Sequence, residues 1–274
     1  MSMLTSTTTQ QNQDMIMDEF RDEGGIDTAT STNESYDSAD FYTNSTTAGT
    51  SATEFEDEDG NTGHTVTANG DTTDSTSTKK FGASSAEFDG SGDYLSVPDH
   101  ADWDFGSGNF TIDMWINFDT ISSDRSFVTK WHFNNTTTSD WRWLRTGGKS
   151  YFCYTTDGNN NNQICFNETW TPNTGQWYHM AAVRSSTNFY FFIDGTQLGA
   201  TKDISTDTIY DSTEPLAIGA EYNETGATYG EFFDGTMDEI RISKGVARWT
   251  SDFTPPTSEY SSDSNTKLLM HMNE

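Results

Sequence analysis

One loop of the chain carries aromatic and amide side chains in a combination that suits a sugar ligand. The segment KWHFNNTTTSDWRW contains Trp131, His132, Asn134, Asn135 and Trp141. The apolar face of an aromatic ring stacks on a pyranose, while amide groups exchange hydrogen bonds with its hydroxyls. These five residues are the candidate ligand-binding residues, on the expectation that the rings are exposed. The alternative, a polar loop that binds no glycan, stays open.

Two cysteines flank the polar turn DGNNNN in the segment YFCYTTDGNNNNQICF. In a hairpin centred on Asn159, Cys153 and Cys165 would face each other across two strands. A cross-strand disulfide is then available in an oxidising compartment, and two reduced cysteines packed on a sheet are the alternative. No charge pattern that would activate a thiolate lies beside either residue, so catalysis by cysteine is not expected.

The common catalytic motifs are absent from the sequence. The histidines at positions 64, 100, 132, 179 and 271 show no metal spacing such as H-x-x-x-H. There is also no G-x-S-x-G, Walker or dinucleotide motif. We therefore predict that the protein is not an enzyme.

Short strands must position these side chains. Phe110, Ile112, Met114, Ile116 and Phe118 occupy every second position, which places all five on one face of a strand. Trp115 and Trp177 lie within such strands and are expected to be packed. From Lys79 onward, short apolar runs alternate with Gly- and Asp-rich turns, which predicts an all-β, antiparallel sandwich over residues 51–274.

Charge excludes two classes of partner. The chain has 14 Lys and Arg against 43 Asp and Glu, a net charge of −29. Nucleic-acid binding and attachment to an anionic membrane both need basic residues, so neither is expected. Residues 1–50 are polar and are predicted to form an extended arm that anchors the protein to an assembly. The first residues lack the basic and apolar regions of a secretory signal.

Five motifs in order resemble a known family: FGASSAEFDGSGDYLSVP, GNFTIDMWINFD, GQWYHMAAVRSSTNFYFFIDGTQLG, LAIGAEY and FDGTMDEIRIS. They are similar to the laminin-G-like jelly-roll domain of the concanavalin A-like lectin/glucanase superfamily. The resemblance implies an antiparallel jelly-roll β-sandwich. The closing segment, which contains LLMHM, resembles the end of such domains, and Leu268 to Met272 is expected to pair near residues 81–90 or 64–68.

The same resemblance implies calcium, which takes six to eight oxygen ligands. Family members often place an ion between the opening turn and the DE strand, which points to Asp57, Asp59 and Asp238. The segment after LAIGA resembles a calcium loop of the pentraxins and points to Glu221 and Asn223, followed by Glu224. Solvated loop acids are the alternative for both clusters in so acidic a chain.

Glucanases of this superfamily carry an E-x-D-x-x-E cluster on a strand, and this chain has no match to it. The nearest acidic strand is TMDEIRIS. Strand alternation there predicts Asp238 on the face of Ile240 and Ile242, with Glu239 and Arg241 opposite. Glu239 is therefore expected to pair with Arg241 or a neighbouring strand rather than to act as a catalytic acid.

The setting is suggested by two further resemblances. The segment DEGGIDTATSTNESYDSADFYTN resembles a linker of tailed-bacteriophage structural proteins, and ARWTSDFTPPT resembles the closing segment of these domains in phage proteins. They imply a virion protein, either a capsid decoration or a tail or fibre component. It would be a homo-oligomer within an assembly, contacting other virion proteins through the arm and a cell-surface glycan through the sandwich. The alternative is a bacterial lectin-like adhesion module, extracellular or at the cell surface.

Overall fold

Strands account for nearly all the regular structure in the residues that the computed structural model describes, which are 55–60, 63–223 and 228–273. The predicted arm over residues 1–50 lies outside them. The only helical segments in these ranges are two 3-10 turns, Ala101–Trp103 and Asn160–Asn162. No helix in the described part of the chain is long and apolar enough to cross a membrane.

The strands of these ranges are named here in chain order. They are β1 (Thr67–Asn69), β2 (Thr73–Ser75), β3 (Ser85–Asp89), β4 (Tyr94–Val97), β5 (Phe110–Phe118), β6 (Arg125–Lys130), β7 (His132–Phe133), β8 (Trp141–Thr146), β9 (Lys149–Tyr154), β10 (Ile164–Thr169), β11 (Trp177–Ser185), β12 (Asn188–Ile193), β13 (Thr196–Gln197), β14 (Lys202–Asp203), β15 (Leu216–Ile218), β16 (Glu221–Asn223), β17 (Thr228–Gly230), β18 (Asp234–Lys244) and β19 (Thr266–Met270).

Two large antiparallel sheets form a sandwich. The first has the order β1-β4-β15-β6-β8-β9-β10. The second has the order β13-β12-β11-β5-β18-β3-β2, with β14 paired to β12 and β19 paired to β18. A small third sheet, β17-β16-β7, contains the parallel pair β7 and β16. The prediction of an all-β antiparallel sandwich is confirmed.

The core lies between the two large sheets and is built as the alternation on β5 predicts. Phe110, Ile112, Met114, Ile116 and Phe118 are all 0% exposed and belong to one apolar cluster. Each contributes about 1.5–3 kcal/mol by leaving water.

The opposite face of the second sheet is also buried, because the segment after β18 crosses it. Trp249 and Phe253 of that segment stack with ring centroids 4.0 Å apart and pack against β11 and β12. Tyr260 packs on Trp115 and Leu269, and Trp177 lies against the same group. Every residue of β5 is buried, and its second face carries Asp113, which is 0% exposed. Trp115 and Trp177 are packed, as expected.

The last strand joins the sheet next to the predicted region, but its ladder partner is β18. Leu268 lies opposite Ile242, and Oγ of Ser84 donates to the backbone oxygen of Met272 at 2.6 Å. The Leu269 carbonyl accepts a hydrogen bond from the backbone N–H of Glu58 at 2.7 Å. The opening segment therefore covers the free edge of β19.

The cysteine hairpin forms as predicted. In the β9–β10 pair Cys153 lies opposite Cys165, and the two form a disulfide. The bond closes a loop with a sequence separation of 12. This resolves the open alternative in favour of the oxidised pair.

Reduction of the disulfide should lower the free energy of unfolding by about 3 kcal/mol, because the unfolded chain regains the entropy of a loop of this length. Urea unfolding with and without reductant measures the difference. The variant Cys165→Ser, which has no bond to reduce, should not respond to reductant. An unchanged midpoint after complete reduction of the natural chain would contradict the prediction.

Candidate functional site

The small sheet brings together the two loops in which the sequence predicts a glycan site and a calcium site. In the parallel pair of β7 and β16, Tyr222 lies opposite His132 and Asn223 opposite Phe133. These strands are about ninety residues apart in the chain, so only the fold makes them neighbours. The two predicted sites therefore occupy one surface.

The two tryptophans predicted to stack on a sugar are buried. Trp131 is 2% exposed, and the Arg142 guanidinium carbon lies 4.6 Å from the centre of its ring. Trp141 is 0% exposed and donates from Nε1 to the backbone oxygen of Trp103 at 3.2 Å. Trp141 belongs to the apolar core between the large sheets, whereas the ring of Trp131 is covered by Arg142 on the other face. The expectation of exposed platforms is wrong for both rings.

Partly exposed rings occur instead in a group that we call the tyrosine patch: Tyr94, Tyr222, Tyr229 and His132. Tyr94 and Tyr229 stack with centroids 4.0 Å apart and planes inclined by 24°. Tyr222 meets Tyr229 at 5.2 Å and His132 at 4.5 Å, both edge to face. The four rings form a continuous aromatic surface across β4, β7, β16 and β17.

The phenols of Tyr94 and Tyr229 remain protonated at neutral pH. Burial raises the pKa of Tyr229 to about 12, and it also raises the pKa of Tyr94. A neutral phenol both donates and accepts a hydrogen bond. The patch therefore offers apolar ring surface together with polar tips, the combination that sugars require.

Amide and hydroxyl groups border the patch. Nδ1 of His132 lies 3.0 Å from Oε1 of Glu214 and 3.1 Å from Oγ1 of Thr138. The side-chain oxygen of Asn135 accepts from the backbone N–H of Thr137 at 2.8 Å. Asn134 is exposed and has a φ of 63°. The predicted residues His132, Asn134 and Asn135 thus lie at this surface, with the side-chain oxygen of Asn135 held within the loop.

Beneath the patch, Glu221 is held by an ion pair. It is 4% exposed, and NH1 of Arg142 lies 3.1 Å from its Oε1 and 2.9 Å from its Oε2. NH2 of Arg142 donates to Oε1 of Gln163 at 2.8 Å. The guanidinium neutralises the carboxylate, so Glu221 is not placed to bind calcium. Asn223 is half-buried on β16, and Glu224 lies outside the described residues.

The other predicted calcium ligands do not converge. The carboxylate of Asp57 accepts from the backbone N–H groups of Asp59, His64 and Leu269 at 3.0–3.1 Å. Asp59 is 1% exposed and accepts from the N–H of Gly63 at 3.4 Å. Among the described residues, the clusters of three ligand atoms lying within 4.8 Å of one another do not include these two or Asp238.

Asp238 serves the backbone instead. Its Oδ2 accepts from the N–H groups of Lys80 at 2.7 Å and Phe81 at 3.1 Å. Burial raises the pKa of Asp238 to about 7, so the side chain is partly protonated at neutral pH and is a poor ligand for a hard cation. Calcium binding by this protein stays a prediction.

The acidic strand departs from simple alternation. A β-bulge between Asp238 and Arg241 places Glu239 at a φ of 53°. Asp238 lies opposite Trp115 and Arg241 opposite Asp113, so both face away from the core while Ile240 faces into it. The predicted grouping of Asp238 with Ile240 is wrong, because the extra residue shifts the pattern by one.

The partners of Glu239 and Arg241 differ accordingly. Oε2 of Glu239 accepts from the backbone N–H of Tyr260 at 2.7 Å, and both of its carboxylate oxygens lie 2.9 Å from Nδ1 of His271. Arg241 pairs with Asp113 of the neighbouring strand β5. Glu239 therefore pairs with the end of the neighbouring strand β19, the second of the two predicted partners, and not with Arg241.

Sequence reasoning missed Tyr94 and Tyr229. Tyr94 alternates with the buried Leu95 and Val97 and could have been assigned to the outer face of β4. Its stacking partner Tyr229 lies 135 positions further along, and no local pattern joins the two. The patch is thus a product of tertiary structure.

Comparison with known proteins agrees with this architecture. A family model described as the concanavalin A-like lectin/glucanases superfamily matches residues 89–250. No curated protein matches the chain. Among solved structures, the binding domain of Paraclostridial Mosquitocidal Protein 1 is similar with a TM-score of 0.52 and 13% identity, over 71% of this chain and 49% of that one.

Two further structures are more distant. The ligand-binding domain of botulinum neurotoxin serotype D, in complex with N-acetylneuraminic acid, has a TM-score of 0.49 and 13% identity over 68% of this chain and 44% of that one. A putative carbohydrate binding protein from Bacteroides ovatus has a TM-score of 0.40 and 19% identity over 57% and 42%. The chain spans about half the length of these structures or less. Since the family model covers more than half of its sequence and the sandwich has the matching fold, the chain belongs to the concanavalin A-like lectin/glucanases superfamily.

Proposed function

We propose that the protein is a non-enzymatic carbohydrate-binding protein and that the tyrosine patch is its binding surface. The observation that carries this proposal is the unbroken contact from Tyr94 through Tyr229 and Tyr222 to His132, with ring separations of 4.0–5.2 Å. The partly exposed rings of this group suit contact with one or two pyranose rings. The phenol tips, with Asn134 and Asn223 nearby, supply hydrogen bonds to sugar hydroxyls.

The carboxylates around the patch favour binding over hydrolysis. A glycosidase needs two carboxyl groups about 5–9.5 Å apart that are free to protonate the leaving group and to attack or activate water. Here Glu221 is paired with Arg142 and Glu214 with His132. Neither acid is placed for proton transfer to a ligand on the rings.

We further propose that the sandwich faces outward from a phage virion, as a capsid decoration or a tail or fibre component. The polar arm over residues 1–50 would anchor it to other virion proteins in a homo-oligomeric assembly. The support is the resemblance of the arm and of ARWTSDFTPPT to phage structural proteins. Mass spectrometry of purified particles should detect the chain in stoichiometric amount, and its absence would contradict this setting.

A bacterial lectin-like adhesion module, extracellular or at the cell surface, is the second candidate. The disulfide between Cys153 and Cys165 favours it, because such bonds persist in oxidising compartments. Detection of the chain on intact cells without phage particles would select this alternative. Both candidates share the same proposed binding surface.

Replacing Tyr222 by alanine should weaken glycan binding by at least about five-fold, the loss expected when a central aromatic contact is removed. Binding is first located on a glycan array and then titrated by calorimetry. Tyr151→Ala, a half-buried tyrosine on β9 outside the patch, is the matched control and should bind normally. Equal losses in the two variants, or release of reducing sugar from the bound glycan, would contradict the proposal.

A further inference from the structure

The fold brings His64 together with His100 and Asp102, which lie more than thirty positions further along the chain. Nε2 of His64 lies 3.2 Å from Oδ2 of Asp102, and Nδ1 of His100 lies 3.0 Å from the same oxygen. These three atoms all lie within 4.8 Å of one another. His64 precedes β1 in the opening segment, while His100 and Asp102 belong to the 3-10 turn after β4.

The spacing matches that of a small coordination sphere. With Zn–N and Zn–O bonds of about 2.0–2.2 Å, neighbouring ligand atoms of a tetrahedral site lie roughly 3.3–3.5 Å apart. The two nitrogen–oxygen distances are within a few tenths of an ångström of that value. Rotation of the side chains alone can move the ligand atoms by this amount.

Hydrogen bonding alone leaves a conflict at His100. Its Nδ1 accepts a hydrogen bond from the backbone N–H of Asp102 at 3.2 Å, which requires a lone pair on that nitrogen. The carboxylate oxygen of Asp102 lies 3.0 Å away, and it can accept a hydrogen bond from this nitrogen only if the nitrogen carries a proton. One nitrogen cannot do both. A cation held between the two atoms would bind the lone pair of the nitrogen and the charge of the oxygen, and it would take the place of the hydrogen bond from the Asp102 N–H.

The cluster is held in place on one side and open on the other. The ring of His64 packs 4.7 Å from that of Trp103, which is fully buried and donates from Nε1 to the Pro98 oxygen at 3.1 Å. The backbone N–H of His64 is bound by Asp57 at 3.0 Å. The side chains of His64 and Asp102 are 9% and 14% exposed, whereas that of His100 is 47% exposed. An ion can therefore enter past His100, and water can take the fourth position.

We infer that His64, His100 and Asp102 form a binding site for a transition-metal ion of the Zn²⁺ class. Two imidazoles and one carboxylate suit zinc, whereas calcium and magnesium prefer oxygen ligands throughout. The ion would join the opening segment to the turn after β4. Its role would be to stabilise this end of the sandwich, independently of glycan binding.

Zinc titration of the full chain, prepared without a polyhistidine tag, tests the site. Calorimetry should show one zinc per chain. Zinc at 100-fold above its dissociation constant should raise the melting temperature by roughly 5–10 °C. His100→Ala removes an exposed ligand and should weaken zinc binding by at least about 10-fold. His132→Ala, a histidine outside the cluster, should bind zinc as the natural chain does.

Two results would overturn the inference. One is the absence of zinc binding by the natural chain at millimolar concentration. The other is an equal zinc response in His100→Ala, which would place the ion elsewhere on this acidic surface. A parallel calcium titration distinguishes the site from non-specific attraction of divalent ions, since calcium should not compete for it. Anomalous scattering at the zinc edge should locate the ion between His64, His100 and Asp102.

Discussion

Replacing Asp113 by alanine should lower the free energy of unfolding by about 3–5 kcal/mol, because it strands a buried guanidinium without its counter-charge. Asp113 is 0% exposed at the centre of β5. Nε of Arg241 lies 3.1 Å from its Oδ1, and NH2 lies 2.8 Å from its Oδ2. Nε2 of His179 on β11 is 3.6 Å away. Three adjacent strands therefore share one charged group.

The pKa directions show that this pair is ionised in the folded protein. Burial acts to raise the pKa of Asp113, but the charge and hydrogen bonds of Arg241, with the ring of His179 beside them, hold it below its ordinary value. Burial acts to lower the pKa of Arg241, and Asp113 raises it. The ring of Tyr260 covers the guanidinium at 4.2 Å. Water cannot readily replace the lost carboxylate in so closed a site.

Denaturant unfolding of three variants separates the contributions. The double variant Asp113→Leu with Arg241→Met should regain much of the lost stability, because it removes both charges rather than one. Glu168→Ala breaks the more exposed pair with Lys202 and should cost no more than about 1 kcal/mol. If Asp113→Ala and Glu168→Ala lower the free energy of unfolding equally little, loss of the buried counter-charge does not destabilise the fold.

Local alternation was sufficient to predict the sandwich. Apolar residues at every second position of β5 leave one arrangement that buries Phe110 through Phe118 together, and the structure has it. The cysteine hairpin was predictable for the same reason, since the turn DGNNNN determines the register between Cys153 and Cys165. Where a pattern repeats within ten or twenty residues, sequence alone determines the neighbours.

The candidate site could be predicted only in part, because its contacts are long-range. The loop of His132, Asn134 and Asn135 was identified correctly as surface, but the rings beside it come from β4, β16 and β17. Trp131 and Trp141 were assigned to the glycan site by residue type, whereas their burial depends on contacts with residues distant in the sequence. On β18 a single bulge at Glu239 placed Asp238 on the face opposite to the predicted one. Neither the parallel pairing nor the bulge is predicted by a pattern in the local sequence.

Next to the same bulge lies the carboxyl group of Asp238, whose ionisation makes the stability of the fold depend on pH. Asp238 is 0% exposed, its Oδ1 has no hydrogen-bond partner among the described residues, and burial raises its pKa to about 7 from an ordinary value of 3.8. Between these two pH values the unfolded chain releases this proton while the folded chain keeps it. Stability contributed by the protonated side chain is therefore complete below about pH 4 and is lost progressively up to about pH 7.

Asp238→Asn should remove this loss, because asparagine has the shape of the protonated acid and cannot ionise. Its free energy of unfolding should match that of the natural chain near pH 3.5 and exceed it by up to about 4 kcal/mol at pH 8, as a pKa difference of about three units implies. Urea unfolding of both proteins across this range gives the difference. The pKa values of Asp140 and His271 are also raised, but their contributions are the same in both proteins and cancel. Glu87→Gln, an exposed acid on β3, should follow the natural profile. Parallel profiles for Asp238→Asn and the natural chain would show that Asp238 ionises as readily in the folded state as in the unfolded one.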